Sequence, residues 1–170
     1  IIALPTQNIW EVLKKYSIKN KDQQIIIASK GIEIETKLFL ADLVRDLINT
    51  ENISILSGPC FSHEVAQNLP TAVTLATPDR VIFNDINMLF GKKNFRLYSS
   101  DDLIGCQLGG AVKNIYAIAA GITIGLNLGE NAKSALIARS FVEISRLGKF
   151  FKAKSDTLFG LSGLGDLILT

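Results

Sequence analysis

From Leu103 to Gly129 the chain carries a single charged residue, Lys113. If helical, such a stretch is apolar nearly all round, and it must then sit in the middle of a helical domain. A membrane span is the rival reading. A span needs roughly 20 consecutive apolar residues, and a charge at its centre is expensive there. Lys113 divides the stretch into pieces too short to cross. Glu130 to Phe151 reads as a second long helix, with Leu136, Ile137, Phe141 and Ile144 as its core stripe and Glu143, Arg146 and Lys149 on its surface.

Upstream of residue 100 the pattern is different. Ile1 to Leu4 looks like the end of a strand, followed by a proline-marked turn and an amphipathic helix with Ile9, Trp10 and Leu13 at helical spacing. A charged turn, KNKDQQ, leads to Ile25–Ile27, a β-branched run of the kind buried in a parallel sheet. The run ends at Ala28-Ser29-Lys30-Gly31, where the backbone must turn sharply. Glu35 to Ile48 reads as a helix, Ile53 to Leu56 as a strand, and Thr71–Ala76 and Phe95–Tyr98 as two further strands around a helix from Asp79 to Phe90. Alternation of this kind predicts parallel pairing through right-handed crossovers, with helices on both faces. The expected class is α/β, with a sheet domain over 1–100 and an all-helical domain from 101 to 170.

At 170 residues and 48% apolar content the chain can build one ordinary domain or two small ones. Eighteen basic residues against sixteen acidic ones leave a net charge of +2, which argues against nucleic-acid binding by phosphate neutralisation. Cys60 and Cys106 stand far apart, and His63 is alone, so neither a disulfide scaffold nor a metal site is indicated. Free thiols without a leader fit a reducing cytoplasm. The chain has no initial Met and stops at Thr170 in what looks like a helix start, so we read it as an internal piece of a longer protein.

Four segments carry chemistry. An ammonium at Lys113, inside so apolar a helix, pays a desolvation cost unless it is paired or used, and burial tunes an amine for proton transfer near neutral pH. The bland alternative is a lysine that snorkels to the surface. Lys30 follows a buried strand, at the sheet edge where ligands collect in open α/β folds, although Lys-Gly is also common in surface turns. Ser57 to Ser62, SGPCFS, is a glycine turn between a strand and a helix; its free amides could cradle an anion, or Gly58 and Pro59 could simply make the turn. The segment from Gly160 to Asp166 lets the backbone approach a ligand closely and could set Asp166 next to a lysine; the alternative is that Asp166 caps a helix.

Taken together, ASKG (28–31), SGPCF (57–61), QLGGAVKN (107–114) and GLGDLILT (163–170) resemble the bacterial NAD(P)-dependent glycerol-3-phosphate dehydrogenases, in family order and over essentially the whole chain. The resemblance implies the C-terminal part of a Rossmann-type domain followed by the start of a helical substrate domain. It implies interconversion of glycerol 3-phosphate and dihydroxyacetone phosphate with NAD or NADP, supplying phospholipid synthesis. It makes Lys113 the catalytic proton carrier and a substrate contact, Lys30 a contact to both substrate and dinucleotide, and Asp166, Gly58 and Cys60 substrate contacts. Ser62 falls where the family presents a small residue to the dinucleotide. Cys60 departs from the usual Ser or Thr, and a thiol is the poorer hydrogen-bonding group.

By the same resemblance the glycine fingerprint for the pyrophosphate precedes Ile1 and an Arg-Asn pair for the substrate phosphate follows Thr170, so the chain alone is expected not to turn over. The expected partner is a small molecule, with no nucleic acid and no membrane insertion; a homodimer stays open, as does the choice between NAD and NADP. The rival readings are another lysine-dependent dehydrogenase, of the 6-phosphogluconate or hydroxyacid type, and a non-catalytic helical assembly module.

Overall fold

The computed structural model describes residues 1–16, 23–90 and 93–169; Lys19 to Asp22 of the expected charged turn, and Thr170, lie outside the described residues. A turn of 3-10 helix at Thr6–Asn8 runs into α1 (Ile9–Leu13). Strands β1 (Ile25–Ile27), β2 (Ile53–Ser57), β3 (Thr71–Ala76) and β4 (Phe95–Ser100) form one sheet in that order. Ile2 adds an isolated parallel bridge to Ile27, so of the strand end expected over Ile1 to Leu4 one bridge is present, on the outer side of β1.

β1 and β2 are parallel, as are β3 and β4, but β2 and β3 are antiparallel, with Ile55 opposite Ala76 and Ser57 opposite Thr74. The expectation of parallel pairing throughout is corrected here. The cause is the length of the connecting helix. Between β2 and β3 lies only α3 (Ser62–Ala66), and its five residues rise roughly 7–8 Å, too little to carry the chain back along a strand of roughly 17 Å.

Helices cover both faces of the sheet. Ile9 and Leu13 of α1, with Leu40, Leu43 and Val44 of α2 (Leu40–Ile48), bury Ile27, Ile53 and Ile55. On the other face Phe83 and Ile86 of α4 (Arg80–Phe90) pack on Val73, Leu75 and Leu97. The helix expected from Glu35 starts only at Leu40. The buried Glu33 carboxylate accepts from the amides of Glu35 and Thr36 and from the Thr36 hydroxyl, and Lys37 adopts φ 60°, so these residues form a turn instead.

Beyond the sheet, α5 (Leu103–Gly125) and α6 (Gly129–Phe150) form a helical hairpin, followed by α7 (Ser155–Phe159), a wide π-type turn over Leu161–Gly165, and α8 (Asp166–Leu169). Asp102 caps α5: one oxygen accepts from the Gly105 amide at 2.8 Å and the other from the Lys154 amide at 2.7 Å. Phe39, Leu108, Val112, Ile144, Leu158 and Leu167 make the core of this half.

The expected burial of α5 along its whole length does not hold. Gly105 to Gly110 and Val112 are buried, whereas Ile115, Ile118, Ile122 and Ile124 are 56–65% exposed. In α6 only Ile144 of the expected stripe is fully buried, with Leu136, Ile137 and Phe141 half-buried. α5 also runs unbroken through Lys113. It is the one helix among the described residues long and apolar enough, by length and composition, to cross a membrane.

Candidate functional site

The carboxyl ends of β1 and β2 point towards the first half of α5. Lys30 leaves β1 in the turn after Ala28 and Ser29, which is pinned by Ser29 donating to the Leu4 carbonyl at 2.6 Å and by the Thr6 hydroxyl donating to the Lys30 carbonyl at 2.8 Å. Its Nζ donates to Asp166 Oδ2 and lies 3.4 Å from the Gly58 carbonyl. Lys113, nearly three turns past the start of α5, donates from Nζ to Asp166 Oδ1 at 2.8 Å. Both oxygens of one fully buried carboxylate therefore hold an amine each, from segments far apart in the sequence. Asp166 opens α8, and its carboxylate lies next to lysines, as one of the two expectations for it has it.

Two neighbouring glycines make this convergence sterically feasible. A Cβ on Gly109 would lie 2.1 Å from the Ser162 carbonyl oxygen, and one on Gly110 would lie 3.2 Å from the stem of Lys30. The GG of QLGGAVKN thus lets the wide turn press on one side of α5 and the lysine pass on the other. Ser162, fully buried in that turn, donates to the Ser57 carbonyl at 3.3 Å and ties it to the end of β2. Gly58 follows at φ 142°, where a side chain would be strained and would meet Val73 Cα at 3.1 Å.

The charges are unevenly matched. Two ammonium groups share one carboxylate, leaving one positive charge in excess. Burial pushes the Lys30 amine below the ordinary lysine range; Asp166 opposes that fall and Lys113 adds to it. A cavity of about 140 Å³ opens beside the cluster, lined by Ala28, Lys30, Leu56, Ser57, Gly58 and Cys60. Partial burial also raises the Cys60 thiol above the ordinary thiol range, which works against thiolate chemistry there. Ser57 Oγ is buried without a hydrogen-bond partner among the described residues.

The structure therefore brings Lys30, Gly58, Cys60, Lys113 and Asp166 together. Ser62, the first residue of α3, is exposed and does not line the cavity. The amides of Glu64 and Val65 already donate to the Phe61 carbonyl, so α3 does not keep them for an anion. Sequence reasoning missed Ser57, Gln107 and Ser162. For Gln107 a signal was available, since it is a polar residue inside an apolar helix, as Lys113 is.

Chemically, an amine held by a buried carboxylate beside a small, largely apolar cavity can give a proton to a substrate oxygen or take one from it. The cavity has room for one small ring or a three-carbon chain, not for a whole dinucleotide. Its orphaned Ser57 hydroxyl and the Lys30 ammonium suit it to a small polar molecule or to the reactive end of such a cofactor.

Comparison with known proteins follows the same outline. A family model described as the N-terminus of NAD-dependent glycerol-3-phosphate dehydrogenase matches residues 1–82, and its C-terminal counterpart matches residues 102–170. The glycerol-3-phosphate dehydrogenase (NAD(P)+) of Zymomonas mobilis subsp. mobilis is 45% identical over 170 residues, covering 100% of this chain and 49% of the relative. That of Blochmanniella pennsylvanica is 49% identical over 173 residues, covering 100% and 50%. A crystal structure of glycerol-3-phosphate dehydrogenase from Coxiella burnetii superposes with TM-score 0.92 at 40% identity, over 98% of this chain and 51% of that one. The chain spans about half the length of the curated relatives it matches.

Proposed function

The chain belongs to the NAD-dependent glycerol-3-phosphate dehydrogenase family, and from that premise we propose that the complete protein interconverts dihydroxyacetone phosphate and glycerol 3-phosphate with NAD or NADP. The observation that carries this reading is the Lys30–Asp166–Lys113 cluster, assembled from three of the four motifs that resemble the family. When bound, the nicotinamide supplies or accepts the hydride.

The chain's own residues do the rest. In the reducing direction the Lys113 ammonium gives its proton to the carbonyl oxygen as that oxygen becomes a hydroxyl; in the oxidising direction the neutral amine takes it back. Asp166 fixes the amine through the 2.8 Å bond to Oδ1 and balances its charge. Lys30, on the other oxygen, presents its positive charge to the cavity and contacts both substrate and dinucleotide. The Gly58 backbone and the protonated Cys60 thiol complete the substrate contacts, and the backbone at Ser62 meets the dinucleotide. Residues 1–100 form the dinucleotide-binding half and 101–170 the substrate half, a division supported by an N-terminal family match that ends at residue 82 and a C-terminal one that begins at residue 102. We read α5 as the central helix of the substrate half in a cytoplasmic protein rather than as a membrane span, because its one charge is paired with a buried carboxylate.

The complete protein, mixed with NADH or NADPH and dihydroxyacetone phosphate, is expected to consume the near-ultraviolet absorbance of the reduced nicotinamide. No oxidation with either cofactor overturns the reading. The 170-residue chain alone is expected to leave that absorbance unchanged, and steady oxidation by it would defeat that part.

A further inference from the structure

The first amides of a helix have no partner within the helix, and α2 receives no side-chain cap from its own N-cap residue, Phe39. The Ala41 amide is nonetheless satisfied. Gln107 Oε1 accepts from it at 2.8 Å, reaching across from α5, while Gln107 Nε2 donates to the Leu103 carbonyl one turn back at 3.1 Å. Both residues are buried, Gln107 at 8% exposure and Ala41 at 3%. The side-chain amide is used at both ends, and its orientation is dictated by one donor and one acceptor that cannot be exchanged.

We propose that Gln107 is a positioning residue, which fixes the helix carrying Lys113 against the sheet half that carries Lys30. The proposal rests on the reading of Lys113 as the proton carrier. Gln107 stands six positions before Lys113 on α5, and it lines the same internal gap as Lys30, Leu40, Ser57 and Cys106. On the same face, one turn on from Gln107, stands Gly110, which offers no side chain to interlock and against which the stem of Lys30 passes. Apolar contacts on such a face resist separation but not sliding, because they carry no direction. A directional bond to the end of α2 sets the height of α5 along its own axis, and with it the reach of Lys113 Nζ to Asp166 and the substrate oxygen.

The test uses the complete protein with Gln107→Met, which keeps the volume but loses the bond, and Gln107→Glu, which keeps an accepting oxygen at the same reach and, held protonated by burial, a donor towards the Leu103 carbonyl. We expect Gln107→Met to lower kcat about tenfold while KM for dihydroxyacetone phosphate stays within about twofold, since misplacement by a fraction of an ångström acts on the chemical step. Acetylation of Lys113 by acetic anhydride, followed by peptide mass spectrometry, should accelerate about fivefold as the amine is freed to open locally. Gln107→Glu should restore both quantities. If Gln107→Met does not fold, Gln107→Asn, one methylene too short to reach the Ala41 amide, gives the same readouts. A kcat within about twofold of wild type in a variant lacking the bond overturns the proposal, as does failure of Gln107→Glu to restore kcat and labelling. Labelling needs no turnover, so a wild-type protein inert towards dihydroxyacetone phosphate would sink the functional reading alone, while an unchanged labelling rate in Gln107→Met would sink the tether.

Discussion

The two halves of α5 are alike in composition and opposite in circumstance. From Gly105 to Val112 the helix is enclosed by the wide turn, by Leu158 and Leu167, and by the ends of the strands; from Ile115 to Ile124 its isoleucines stand more than half exposed. An apolar run says that a surface wants cover, not what covers it. Lys113 sits at the junction. Its side chain is 15% exposed because the enclosed half ends there and the buried carboxylate arrives from one side.

The comparison can be broken most forcefully at the junction itself. In the complete protein, Lys113→Ala should lower kcat by about two to four orders of magnitude while dinucleotide affinity, read by fluorescence titration, changes little. A loss confined to affinity would place Lys113 with the binding groups rather than the proton carriers. Next in size is a pair of identical substitutions in the two halves. Gly109→Ala forces a methyl into the space of the Ser162 carbonyl oxygen, and denaturant unfolding should show a loss of about 2–3 kcal/mol. Gly121→Ala meets nothing within 4 Å and replaces a glycine in a helix interior, so it should stabilise by about 0.5–1 kcal/mol. Equal effects at the two positions would erase the distinction between the halves.

The effect confined to high pH concerns the thiol of the enclosed half. Burial raises Cys106 to about 11 from an ordinary 9.0. Because the folded thiol holds its proton more tightly than the unfolded one, its contribution is complete below pH 9.0 and is lost as pH rises through about 11. Between those limits stability should fall by about 1 kcal/mol per pH unit near the middle of the window, and Cys106→Ala should flatten that slope in urea titrations.

Much of this arrangement was legible in the sequence for local reasons. The β-branched runs at Ile25–Ile27 and Thr71–Ala76 are strands over those same residues, because buried strands have few other solutions. The direction of β3 was not legible, since a run of apolar residues has no arrow and only the shortness of α3 sets it. The late start of α2 was hidden for a similar reason: Glu33 competes for the amides that a helix would have used, through side-chain geometry that periodicity does not register. In the site, Lys113 stood out by contrast with its surroundings. Its link to Asp166 was reachable through the resemblance of motifs, while the Gln107 and Ser162 contacts join segments whose proximity no spacing reveals.

The wide turn before α8 contains one supernumerary residue compared with an ordinary helical turn: the Gly165 amide reaches back five positions to the Gly160 carbonyl at 3.0 Å. Each residue in a helix advances the next by about 100° around the axis. Excising a single position from Leu161–Gly165 would therefore leave every side chain in place by type and swing the carboxylate of residue 166 away from both amines. Its aim is an angular register set by chain length, so an indel screen of this loop would find function more sensitive to counting than to composition.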